Sequence, residues 1–130
     1  MNALFTGIYS KFSNDTDLSG AVTGLYLSEA PQNVAFPYAV YFMVSDTHDW
    51  QFVEEFEEVL IQFNIFSESA SIAEAGTILG YLKTLYDDCA LTVSGYDHIY
   101  MQREFIYSYR DADAMTWAYS VQYRVYLKKQ

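Results

Sequence analysis

The stretch EVLIQFNIFSESASIAEAGTILGYLKTLYDDC, from Glu58 to Cys89, changes its hydrophobic period once, and that change decides the fold class. In its first part Val59, Ile61, Phe63 and Ile65 alternate with Glu58, Gln62 and Asn64. A period of two puts the apolar side chains on one face of a β-strand. In its second part Ile72, Ala75, Ile78, Leu79, Leu82, Leu85, Tyr86 and Cys89 fall on one stripe at helical spacing, while Glu74, Lys83, Asp87 and Asp88 lie largely off it. Ser71-Ile72-Ala73-Glu74 has the spacing of a capping box, so the helix is expected to start there. A half-buried strand followed by an amphipathic helix satisfies both apolar faces when the helix lies on the sheet.

Working outward, Pro37 leads into Tyr38-Ala39-Val40-Tyr41-Phe42-Met43-Val44, a β-branched and aromatic run expected to form a central strand. Asp46, His48, Asp49 and Trp50 read as a loop or hairpin tip, and Phe52 to Phe66 as the next strand. On the other side, Ile99, Met101, Phe105, Tyr107 and Tyr109 alternate with mostly polar neighbours, and Trp117, Tyr119, Val121, Tyr123, Val125 and Leu127 do so more cleanly. The link Asp111-Ala112-Asp113-Ala114 predicts that these two strands form an antiparallel hairpin. Leu4, Phe5, Ile8, Tyr9 and Phe12 predict a short N-terminal helix over residues 3–13, with Asn2 as its cap and Gly7 weakening it. Residues 13–36 read as connecting structure with one short extended piece at Leu25-Tyr26-Leu27. The expected architecture is a two-layer α+β domain spanning residues 1–130. It has an antiparallel sheet of about four strands, a long helix packed on one face and a short N-terminal helix.

With 130 residues the chain has the size of one domain, and 52% hydrophobic composition with 6 Gly and 2 Pro excludes disordered and collagen-like classes. Thirteen Tyr and nine Phe exceed what one small core can hide, which points to aromatic contact surfaces. A net charge of −10 disfavours a grip on phosphate backbones. The lone Cys89 precludes an intrachain disulfide, and no run of residues resembles a leader or membrane span, so cytoplasmic synthesis is expected.

Candidate chemistry is thin. His48 and His98 lack a second His or Cys at metal-ligand spacing. Glu54, Glu55, Glu57 and Glu58 crowd ahead of an apolar strand, which reads as a solvated edge that guards against aggregation, or as an acidic patch for a basic partner or a channel lining. The class-distinct alternative is a small-molecule-binding or enzymatic α+β domain using these carboxylates. There is no Gly-x-Ser-x-Gly elbow, and Gly76 and Gly80 are not followed by the Lys-Ser or Lys-Thr of a phosphate loop. No enzyme activity, cofactor or metal is expected. Trp50 and Phe52 are candidate subunit contacts, together with Glu54 and Glu55. Arg103 and Arg110 are candidate partners for acids on another subunit.

Several strings join this order of elements: Ala30-Pro31-Gln32, Phe36-Pro37-Tyr38-Ala39-Val40-Tyr41, Ile61-Gln62-Phe63-Asn64-Ile65-Phe66-Ser67, the helix after Ser71, and Trp117 with Tyr119-Ser120-Val121-Gln122-Tyr123-Arg124-Val125. Together they resemble the tail terminator, or tail completion, proteins of long-tailed bacteriophages and related particles. The segment from Asp46 to Glu58 departs from that pattern in being unusually acidic and aromatic. The resemblance implies a structural virion protein at the head-tail junction, assembled in the host cytoplasm. It implies a homo-oligomer, a hexameric ring, that caps the tail-tube protein, ends tail elongation and meets the head connector or head-completion protein. DNA would pass through the lumen without specific binding. Another small neck or minor tail protein of the same particle is the neighbouring reading.

Overall fold

The computed structural model describes residues 2–130. In chain order the elements are α1 (Asn2–Ser13), α2 (Thr16–Ala21), β1 (Leu25–Leu27), β2 (Tyr38–Gln51), β3 (Glu54–Ser67), α3 (Ala73–Tyr86), β4 (Tyr96–Asp111) and β5 (Thr116–Lys129). The strands form one five-stranded sheet in the order β1-β2-β3-β5-β4. The pairing of β1 with β2 is parallel and the other pairings are antiparallel. The α+β class holds, with three helices and a fifth strand beyond the expected four among the described residues.

The alternation in β3 sets the core. Val59, Ile61, Phe63 and Ile65 are fully buried on one face, opposite Val121, Tyr123 and Val125 of β5, beneath Ala75, Ile78, Leu82 and Tyr86 of α3. At its centre Phe63 lies 4.8 Å from the ring of Tyr86, 5.8 Å from Tyr123 and 6.0 Å from Tyr41. Each tyrosine has a polar tip that needs a partner once buried. Tyr86 donates to the Ile8 carbonyl at 2.8 Å, Tyr41 to the Phe5 carbonyl at 3.2 Å, and Tyr123 to the Asp87 carboxylate at 2.6 Å. The hydroxyls of Tyr41 and Tyr123 fasten α1 and the end of α3 to the sheet, and that of Tyr86 fastens α3 to α1.

Several local expectations are corrected, but the extended piece at Leu25-Tyr26-Leu27 is present, as a strand paired with Ala39–Tyr41. The segment before it contains α2, because Asp15 caps the Leu18 N–H at 2.7 Å and Leu18 is buried. Asn2 is the first helical residue of α1 rather than its cap. Gly7 has a packing reason: a Cβ there would stand 2.6 Å from the Thr92 carbonyl oxygen. The capping box does not form. Ser71 Oγ accepts from the Ala73 N–H at 3.1 Å, and Glu74 accepts instead from Ser67 Oγ at 2.6 Å, which ties the helix start to the end of β3.

The largest correction concerns residues 46–51. They continue β2 as one side of a long hairpin with β3, register Asp46↔Val59 to Gln51↔Glu54, and only Phe52 and Val53 form its turn. Phe52 takes a left-handed conformation there, φ 55°. β2 is flanked by β1 only at Ala39–Tyr41, so it is central for part of its length and an edge beyond. Glu57 and Glu58 lie on β3 between β2 and β5 and are not on a sheet edge, while Glu54 and Glu55, nearer the turn, pair with β2 alone.

Phe63→Ala removes the ring shared by three tyrosines, and the loss of a large core side chain costs about 3–5 kcal/mol. Urea unfolding of the isolated chain is expected to show a midpoint shift of that size with an unchanged transition slope.

Candidate assembly surfaces

Helices cover one face of the sheet. The other face is banded. Phe56, Tyr126 and Tyr100 stack in a row across β3, β5 and β4, with centroids 5.3 and 5.4 Å apart. Next, Arg124 bridges Glu58 and Glu104. Then comes an amide row in which Gln122 donates to Gln62 at 2.9 Å, Gln62 donates to Asn64 at 2.8 Å, and Ser120 donates to Asn64 at 2.6 Å. On β4, Phe105, Tyr107 and Tyr109 form a stacked ladder beside that row, with centroids 5.9 and 6.1 Å apart. A cleft of about 530 Å³ lies under the segment from Ser28 to Phe36, lined by Tyr38, Val40, Phe42 and Phe66.

The hairpin carries its apolar residues outward. Phe52 and Val53 are essentially fully exposed at the turn and Trp50 is 65% exposed. Trp50 stacks on His48 at 4.7 Å, so its position is fixed although it is not buried. The sequence-predicted acids sit on the same hairpin but are already matched. Glu54 pairs with Lys128 at 2.8 Å, and Glu55 with His48 at 2.9 Å and Lys129 at 3.7 Å. Exposed pairs of this kind contribute about 0–1 kcal/mol each, so their use lies in holding four acids side by side on one strand. Arg103 pairs with Asp87 of its own chain at 3.6 Å. Arg110 lies over the Trp117 ring at 5.1 Å, and its Nη1 is buried without a hydrogen-bond partner. Trp50, Phe52, Glu54 and Glu55 thus gather on the hairpin, whereas Arg103 and Arg110 stand apart on β4.

The sequence reading assigned Phe105, Tyr107 and Tyr109 to the strand alternation without separating them from Met101. Register shifts at His98/Tyr100 and Arg103/Phe105 change which side chains share a face. Met101 is fully buried, while the three aromatics are 40–48% exposed. Their spacing alone could not reveal this, though three aromatics on alternate positions next to a charged Arg103-Glu104 pair were the available signal.

One acid pair is electrostatically unusual. Asp46 of β2 and Glu57 of β3 face each other near Tyr96, whose hydroxyl donates to Glu57 at 3.1 Å. Desolvation, then the hydrogen bond and repulsion from Glu57, push Asp46 up to about 6. Asn2, Ala3 and Tyr96 complete a recess of about 310 Å³ around the pair, which brings no histidine, cysteine or lysine to it. Burial pushes the Cys89 thiol up to about 11, away from nucleophile chemistry. Burial also lowers His98, whose ring nitrogen accepts from the Leu91 N–H at 3.4 Å. Among the described residues no group of three His, Cys, Asp or Glu side chains is arranged to hold a metal ion. No described helix is long and apolar enough to cross a membrane.

Because Asp46 is raised in the folded chain, the folded state binds more protons than the unfolded one between about pH 4 and 6. This group therefore costs stability as pH rises through that window. Asp46 remains partly solvated, so screening holds the effect to about 1 kcal/mol or less. Asp46→Asn is expected to be more stable than the parent at pH 7 and equal to it below pH 4, as read by chemical unfolding at both pH values.

Comparison with known proteins places residues 6–128 in the family described as "Tail completion protein gp17". Among solved structures, a chain of the "Virion of native gene transfer agent (GTA) particle" shares the fold, with a TM-score of 0.82 at 13% identity, covering 95% of this chain and 92% of that one. No curated protein matches.

Proposed function

The chain belongs to the tail completion protein gp17 family, and from that premise we propose that copies of it form a ring, of six subunits, that caps the tail tube of a phage or phage-like particle. The ring ends tail elongation and joins the tail to the head connector. The whole of residues 1–130 acts as one structural domain in this role, without catalysis. The observation that carries the reading is that the core closes without Trp50, Phe52, Val53, Phe105, Tyr107 and Tyr109. Exposed aromatics held in fixed positions on rigid strands are suited to lasting contacts between subunits.

The charge fits the same role. Net charge is −10, and Arg103, Arg124, Lys128 and Lys129 are engaged with carboxylates of the same chain. Such a surface offers phosphates no cationic track, so DNA crossing a lumen lined by these subunits would slide rather than adhere. The hairpin tip is the surface assigned to the tube or to a neighbouring subunit, since its apolar residues project furthest from the core.

Two measurements test this. Mixing the chain with polymerising tail-tube subunits is expected to give capped tubes of bounded length by electron microscopy. Unchanged lengths with no cap would exclude the terminator role and favour another neck or minor tail position. Trp50→Ala and Phe52→Ala are expected to change unfolding free energy by less than about 0.5 kcal/mol, as for exposed sites, while weakening capping. A loss of several kcal/mol in the isolated chain would instead return these rings to a structural role.

A further inference from the structure

Both ends of the sheet are open. Among the described strands β4 pairs only with β5, and the chain from Asp88 to Val93 runs beside its first half, where the Asp88 N–H bonds the Met101 carbonyl and Val93 bridges Tyr96, so the far side of Gln102–Asp111 is the open part. β2 is covered by β1 only at Ala39–Tyr41, so the far side of Phe42–Gln51 is open as well. Long open edges with apolar side chains are hazards that soluble proteins cover, shorten or charge. Here they are neither short nor uniformly charged. Met43 and Val44 are exposed beside one, and Phe105 and Tyr107 beside the other.

We propose that the open edge of β4 in one copy pairs with the open edge of β2 in the next, so that the sheet runs continuously from subunit to subunit. Strand direction is the first argument. β2, β3, β5 and β4 alternate in direction, so β2 and β4 run oppositely. A second copy generated by rotation about an axis along the strands keeps its directions, and its β2 therefore meets β4 antiparallel, the more stable pairing. Level is the second argument. Following the registers across the sheet, Phe42 shares a row with Gln62, Gln122 and Phe105, and Asp49 shares one with Phe56, Lys128 and Asp97. The open stretches Phe42–Ser45 and Gln102–Phe105 thus lie at the same height, and rotation without an axial shift aligns them. Phe42 then approaches Phe105 across the junction.

The two edges differ from each other and sit at opposite ends of one sheet, so the contact is head-to-tail and closes into a ring when the rotation permits. Pairing of β4 with β4 would instead need a two-fold axis and would stop at a dimer. This inference deepens the ring reading and rests on it in requiring repeated contacts between copies.

The test uses the full chain and two surface variants, Gln102→Lys/Phe105→Lys on β4 and Met43→Lys/Val44→Lys on β2, all at exposed side chains. Sedimentation over a wide concentration range is expected to show the parent associating beyond a dimer and each variant alone as a monomer. An equimolar mixture of the two variants should form a heterodimer and stop, because each retains the edge the other lacks. Dimers of the β2 variant alone would overturn the proposal in favour of β4 self-pairing. A mixture that stays monomeric, or a parent that is monomeric at every concentration, would overturn it outright. The single variants Phe105→Lys and Val44→Lys replace either double variant that loses its far-ultraviolet circular dichroism. If the mixture pairs but the parent leaves tail-tube lengths unchanged, the tail role fails and edge pairing stands. If the edge variants cap tubes as well as the parent, edge pairing fails and the tail role stands.

Discussion

Phe63 is surrounded by Tyr41, Tyr86 and Tyr123, and each of those rings ends in a hydroxyl bonded outside the cluster, to Phe5, Ile8 and Asp87 respectively. Apolar burial alone would hold a helix on a sheet without fixing where along the sheet it sits, because hydrophobic attraction is not directional. The three hydroxyls supply direction. Two of them reach carbonyls of α1 and the third reaches the residue that ends α3, so the helical layer is locked to the end of the sheet where Phe63 lies. The rest of the architecture depends on that placement.

Since the helices cover the sheet at one end, β2 and β3 extend beyond them as a hairpin with no helical layer to bury its apolar residues. Its stability comes from cross-strand contacts instead. Glu54, Glu55 and Glu58 would repel one another on a single strand, and Lys128, Lys129, Arg124 and His48 on the flanking strands offset that repulsion. Phe56 and Tyr126 stack on the same face as Glu58 and Arg124, and Tyr126 donates to Asp49 at 2.9 Å. The hairpin is thus firmly tied along its length while its tip, Phe52 and Val53, remains bare. Rigidity with an exposed apolar end lowers the ordering cost of forming a contact.

Legibility followed the same division. The alternation in β3 and β5 and the stripe on α3 were readable because each element buries a single face, which leaves a periodic trace. The polar link at residues 111–114 likewise announced its hairpin. Residues 46–51 read as a loop or hairpin tip because Asp46, His48, Asp49 and Trp50 carry no buried face, although they lie on a strand of the hairpin whose tip is Phe52 and Val53. Their partners lie in β3 and β5, and cross-strand pairing leaves no mark in local composition. β4 misled for a related reason: two register shifts break its alternation into pieces. The capping box failed because Ser67, four residues before Ser71, competes successfully for Glu74.

By itself the sequence determined the α+β class, the buried faces of β3, β5 and α3, the acidic balance, and the strings that resemble tail completion proteins. These depend on residue type and local period, which the chain carries at every position. Only the tertiary structure decided that Glu57 and Glu58 lie on an internal strand rather than an edge, that Arg103 is already paired, and that β2 and β4 leave open stretches at opposite ends of one sheet. Those properties are relations between distant segments. They exist only once the chain has chosen its neighbours, and no stretch of sequence states which side of a strand will be left without one.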